Sequence, residues 1–148
     1  MAPTSVPRPT HRVAVVAALV VALSLLGACL SPNRDLVRAE MNADRAANGL
    51  RTLSTQSDAQ AKAQAWAERL AREGRIYHST LTDGIRVKWC SIGENVGYGR
   101  SVASIEDAYM NSPGHRANIL ATKWNGVGVG YATNGNQVYT VQVFIQTC

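Results

Sequence analysis

The motifs that would declare a chemistry outright are missing from this 148-residue chain. It has no H-E-x-x-H, no cysteine cluster spaced for a metal and no G-x-S-x-G elbow, so the usual local signatures of a zinc peptidase, a zinc-cluster module and an esterase-type serine hydrolase are absent. Basic residues outnumber acidic ones 15 to 10, yet from Arg34 to Lys123 they are spread without a cluster. That spread is no nucleic-acid footprint, and no nucleic acid is expected among the partners. Internal repeats and low-complexity tracts are absent too. With 46% apolar and 17% charged residues the chain is neither disordered nor collagen-like.

What is present begins with an address. Residues 1–12 are proline-rich and carry only positive charge, at Arg8 and Arg12, and a 14-residue apolar run follows from Val13 to Leu26. A bilayer-spanning helix needs about 20 such residues, so the run fits the apolar region of a secretory signal over residues 1–28. It ends Leu26-Gly27-Ala28-Cys29, which resembles the bacterial lipobox, an apolar residue and two small ones before a lipid-bearing cysteine. Cysteine parity agrees: lipid on Cys29 leaves Cys90 and Cys148 to pair in an oxidising compartment. The alternative is ordinary secretion with a free thiol. A Cys90–Cys148 bond would close a loop worth about 4 kcal/mol on the loop-entropy account. The expected organisation is a signal peptide over 1–28, a lipid-anchor cysteine and short linker over 29–33, and one domain over 34–148 on the outer face of the bacterial cell membrane.

The first helix is expected from Asn33 to Asn48, with Asn33 as its N-cap, Leu36, Ala39, Ala43, Ala46 and Leu50 as the inward stripe and Gly49 as its stop. A second is expected from Asp58 to Glu73. Ser57 with Gln60 makes a capping-box pattern, Ala59, Ala63, Trp66 and Leu70 form the stripe with Trp66 as bulky anchor, and Gly74 closes the end. The third runs from Val102 to Asn111 behind Ser101, turns Val102, Ile105 and Tyr109 inward and ends at Pro113-Gly114. Arg86 to Tyr98 reads as a strand. Gly126 to Tyr131 alternates glycine with valine and tyrosine, the pattern of a strand face on which something packs directly against backbone. Asn134-Gly135 signals a type I′ turn. Gln137 to Thr147 is apolar on both faces, Tyr139, Val141, Val143 and Ile145 against Val138 and Phe144, as an interior strand is. Helices covering a mostly antiparallel sheet make the fold class α+β.

Past the signal only two histidines remain, His78 and His115, with Glu94 between them. Two imidazoles and a carboxylate suit zinc or a similar ion, and three protein ligands with an open fourth position is the layout of a reactive metal site. The same residues can instead be spent on ordering loops, with Glu94 fixing a histidine tautomer. A nucleophilic set of Ser79 or Ser112 with His115 and Glu94 is the third arrangement. Arg116 and Asn118 read first as scaffold for the segment that carries His115.

Tyr77-His78-Ser79, Gly93-Glu94-Asn95-Val96-Gly97 and the string Asn111-Ser112-Pro113-Gly114-His115-Arg116-Ala117-Asn118-Ile119-Leu120, in that order, resemble the CAP superfamily. That superfamily includes cysteine-rich secretory proteins, antigen 5 allergens and plant pathogenesis-related proteins, and the chain is most similar to its bacterial SCP-like branch. The resemblance extends over about Leu36 to Phe144. It implies a three-layer α-β-α sandwich with a mostly antiparallel central sheet and a cleft lined by His78, Glu94 and His115, where some members hold a divalent cation such as zinc. The second acid of many members falls here on Ser112, with Glu106, one turn before Tyr109, as the other candidate. The function implied is a non-enzymatic, extracytoplasmic binding module tethered to the membrane. Its cleft would take a divalent metal, a small apolar ligand, or an unknown protein, lipid or envelope partner. The alternative is a metal-assisted hydrolase or protease acting on envelope peptide or polysaccharide; no residue is assigned a catalytic role.

Overall fold

The computed structural model describes residues 32–148; the expected signal peptide and Cys29 lie outside the described residues. Helix α1 spans Pro32–Ala47, so Asn33 sits inside its first turn rather than capping it. The helix stops at Gly49, where the Leu50 N–H reaches back to the Arg45 carbonyl. Its buried face is Val37, Met41 and Arg45, whereas Leu36, Ala39, Ala43 and Ala46, expected inside, are exposed. An alanine has little area to bury, so the two larger apolar side chains one turn apart set the face. Arg45 joins them because backbone carbonyls meet its guanidinium: Nε donates to Arg51 at 3.0 Å, Nη1 to Ile119 at 2.6 Å and to Ala121 at 2.9 Å.

Helix α2 spans Ser57–Glu73 and is capped by Gln56, whose side chain accepts from the Ala59 N–H at 2.7 Å. The expected Ser57–Gln60 capping box is therefore not used, and Gln60 has another task. The sheet is three antiparallel strands, β1 (Trp89–Gly99), β2 (Gly126–Asn134) and β3 (Gln137–Thr147), in the order β1-β3-β2. The Gln60 amide both donates to the Val129 carbonyl (2.6 Å) and accepts from the Val129 N–H (3.2 Å), and Gln64 repeats the pattern at Tyr131 (3.0 and 3.1 Å). Two side chains of α2 thus satisfy part of the open edge of β2, which would otherwise invite another strand.

The glycine face of β2 is where α2 lies. A Cβ at Gly128 would fall 2.0 Å from the Ala59 carbonyl carbon, and one at Gly130 would fall 2.1 Å from the Ala63 oxygen. The contact is backbone on backbone, made by Ala59, Ala63, Ala67 and Leu70 over Val141, Val143 and Ile145. Trp66 is only half-buried and serves at the helix flank instead, donating its indole N–H to the Tyr77 carbonyl at 3.0 Å. On the opposite face, α1 and α3 (Val102–Asn111) cover Val127, Val129, Val138 and Phe144. The central strand β3 is accordingly apolar on both faces, as its sequence requires.

Two turns differ from expectation. The hairpin loop is Gly135-Asn136, because Asn134 still pairs with Gln137, and only Gly135 has positive φ (55°). Positive φ at the first loop residue alone is the type II′ pattern, not I′. Pro113-Gly114 does end α3, yet it also opens a further helix, α4 (Pro113–Ile119). Proline is pre-set for the first helical position, where no N–H is needed, and Gly114 takes an ordinary negative φ. Cys90 and Cys148 are disulfide-bonded with their Cα atoms 5.5 Å apart, tying the last residue of the sequence to the start of β1.

A methyl group tests the layer contact. Gly128→Ala must displace helix backbone, so urea unfolding is expected to show a loss of at least about 3 kcal/mol, or no folded protein. Gly114→Ala, with nothing within 4 Å of the new Cβ, is expected to gain up to about 1 kcal/mol.

Candidate functional site

Between α2 and β1 the chain crosses the α2 face as an irregular segment pinned at several points. Trp66 holds the Tyr77 carbonyl, and the Lys62 ammonium donates to the carbonyls of Thr80 (2.7 Å) and Asp83 (3.1 Å). The deepest anchor is Glu94 of β1, whose side chain is 1% exposed. Its Oε1 accepts from the Ser79 N–H at 2.9 Å and lies 2.8 Å from His78 Nδ1, and its Oε2 accepts from the Ser79 hydroxyl at 2.6 Å. One carboxylate thereby holds three donors from two consecutive residues. A carboxylate can only accept, so a neutral His78 ring bonded to it in this way carries its proton on Nδ1. The His78 side chain is 60% exposed, which leaves Nε2 open to solvent.

His115 arrives from the other layer. Helix α4 carries it, its backbone carbonyl accepts from Asn95 Nδ2 at 3.2 Å, and its ring lies beside Tyr109 with centroids 5.0 Å apart. Burial holds the His115 imidazole below the ordinary histidine range, and the neighbouring His78 pushes it the same way. The two histidines approach β1, an edge strand, from its two faces, near enough for His78 to act electrostatically on His115. Glu94 leaves one face of the strand and Asn95 the other, so each collects the histidine of its own layer.

Residues 38–148 match the CAP family, described as the cysteine-rich secretory protein family. The chain belongs to this family. Protein YkwD of Bacillus subtilis (strain 168) is 29% identical over 110 residues, which are 68% of this chain and 42% of that protein, so the match spans less than half of its length. Among solved structures, an outer surface protein from Borrelia burgdorferi is similar with a TM-score of 0.70 at 18% identity, covering 78% of this chain and 93% of that one. An extracellular protein containing a SCP domain from Bacillus anthracis str. Ames gives 0.65 at 22% identity, covering 80% of this chain and 44% of that one. These likenesses are of fold, and the fold is that of a bacterial CAP domain.

Within this CAP domain the remaining candidates divide. Asn118 sits at the centre of the scaffold, donating to Asn95 Oδ1 at 2.9 Å and to the Glu94 carbonyl at 3.2 Å, while its own carbonyl accepts from the buried Trp124 indole at 2.7 Å. Arg116 is exposed and its charge acts on Asp44 of α1, lowering a carboxyl that burial and Asp107 raise. Ser112 precedes α4 but its hydroxyl makes no capping bond. Glu106 is buried under the sheet and reaches the site only indirectly, through Gln142.

Of the nucleophilic set, the Ser79 hydroxyl donates directly to Glu94 Oε2 at 2.6 Å, and His115 is bonded through its backbone carbonyl to Asn95. Among the described residues no hydrogen bond joins the His115 ring to Ser79, Ser112 or Glu94, the link a relay needs. Of the expected metal set, Glu94 spends its oxygens on Ser79 and His78, and among the described residues no group of three or more His, Cys, Asp or Glu is placed to hold an ion. Two imidazoles are fewer than the three protein ligands of a zinc site.

Two residues of the site carried signals that composition and spacing did not bring out. Asn95 and Gln142 are fully buried amides facing each other across β1 and β3 at 3.0 Å. The signal was a polar residue inside a strand run that is otherwise apolar. Glu94→Ala is expected to cost about 2–4 kcal/mol, because it strands the Ser79 and His78 donors, and to expose the Ser79 amide to fast hydrogen exchange. Urea unfolding and exchange at that single amide check both.

Proposed function

We propose that the protein is an exported binding module, held at the outer face of the cell membrane by lipid on Cys29, that takes its ligand at the His78–His115 pair over the edge of β1. The observation that carries this reading is the use of Glu94 as a holdfast for three donors. A carboxylate committed to positioning Ser79 and His78 supports a binding role for the segment, and the group left to take a proton or a ligand is the His78 ring. What faces solvent is His78 Nε2, a hydrogen-bond acceptor when the ring is neutral, and burial and His78 together favour the neutral form of His115 as well. Such a pair favours a ligand that brings a hydrogen-bond donor, or one that brings its own divalent cation and supplies the ligands these two rings do not. The descriptions of similar structures as outer surface and extracellular proteins support export.

The test uses the protein recovered from its native membranes. Mass spectrometry of extracted small molecules and lipids, with elemental analysis, is expected to find a species bound in stoichiometric amount and lost from both His78→Ala and His115→Ala. Cys29→Ser is expected to move the protein from the membrane to the soluble fraction. Cleavage of envelope peptide or polysaccharide that disappears in either histidine variant would overturn the binding reading in favour of a hydrolase.

A further inference from the structure

Beneath the site runs a single file of amides, half-buried at Asn118 and buried at Asn95 and Gln142, with an acid at its inner end. Asn118 donates to Asn95 Oδ1; Asn95 spends its two N–H bonds on the His115 carbonyl (3.2 Å) and on Gln142 Oε1 (3.0 Å); Gln142 Nε2 in turn donates to Glu106 Oε2 at 2.6 Å. Asn95 and Gln142 are 0% exposed and Glu106 is 4% exposed. The other carboxyl oxygen, Glu106 Oε1, is buried with no hydrogen-bond partner. An amide file of this kind has a direction: every donor is aimed at the next acceptor, so a change at one end is felt at the other.

The groups around Glu106 are unfavourable to a negative charge. Glu40 and Asp44 of α1 and Asp107 of its own helix are acids that act on it. Arg116 of α4 acts on Asp44. Tyr109, one turn along α3, is neutral, and burial together with Glu106 and Glu94 keeps its hydroxyl protonated. The Gln142 amide from the sheet supplies the one donor. We propose that Glu106 is a proton-sensitive positioning residue: as a neutral acid it lets the Gln142–Asn95–Asn118 file seat the His115 carbonyl, and loss of its proton pulls that file inward and shifts the seat. An ionised carboxylate with one donor and an empty oxygen draws any amide within reach, and Gln142 is the amide available. The burial that disfavours the charge holds the Glu106 carboxyl up at about 8. The seat therefore changes within the range a secreted protein meets.

This inference concerns the seat itself and rests on the proposed binding reading only for its biological use, so the test contains no ligand. In isotopically labelled protein, the Glu106 carboxyl carbon and the side-chain amides of Asn95, Asn118 and Gln142 are followed by NMR from pH 5 to 9.5. The expected result is one shared midpoint near pH 8, absent from all three amides in Glu106→Gln. A stability signature accompanies it. The folded carboxyl holds its proton to about pH 8 and the unfolded one only to the ordinary 4.5, so the folded state binds more protons across that window. The urea midpoint is then expected to fall as pH rises from 4.5 to 8, and to fall less in Glu106→Gln. A Glu106 carbon that titrates below pH 6 overturns the proposal, as do amides that stay flat while it titrates, or amide midpoints that persist in the variant. The wild-type spectra decide the matter even if the variant does not fold.

Discussion

A negative charge withdrawn from water organises this molecule's functional edge. Glu94 is buried in β1, and a lone carboxylate there would cost several kcal/mol. The cost is offset because the segment before β1 turns two successive residues onto it: Ser79 with backbone and hydroxyl, His78 with Nδ1. The same three bonds that stabilise the charge decide the chemistry. They orient His78 outward, and they commit Glu94 to holding the segment in place.

The layers around that edge are built to hold still. On one side α2 touches β2 without intervening side chains at Gly128 and Gly130, and Gln60 and Gln64 bond the outer strand. On the other side Arg45 of α1 gathers the carbonyls of Ile119 and Ala121 at the end of α4. That contact fixes the helix that carries His115. A buried arginine far from the histidines in sequence thus helps to set where one of them stands, and the Asn95–Asn118 pair locks the same helix to the strand that holds Glu94.

Much of the frame was legible because single residues dictate it. Ser101 caps α3, Gly49 and Gly74 stop α1 and α2, and the glycine alternation of Gly126 to Tyr131 announced a close helix. The strings around His78, Glu94 and His115 also hold the residues that bond them, Ser79 beside His78 and Asn95 beside Glu94. What periodicity missed has physical causes. Counting alanines put the wrong face of α1 inside, since Val37 and Met41 bury more area and an arginine becomes a core residue once carbonyls surround it. Pro113-Gly114 reads as a break, yet the same proline begins a helix well. Residue type marks Glu94 as an acceptor but not that Ser79 and His78 are its donors, which only the fold reveals.

The most direct test is the state of the His78 ring and its partner. Long-range proton–nitrogen correlation at a pH where the ring is neutral is expected to show the proton on Nδ1 and the lone pair on Nε2. Added Zn²⁺ is expected to perturb Nε2, if any ring atom, and to leave the Glu94 carboxyl carbon unmoved. A proton found on Nε2, or a Glu94 carbon that shifts as a zinc ligand does, would contradict the assignment of that carboxylate as a holdfast.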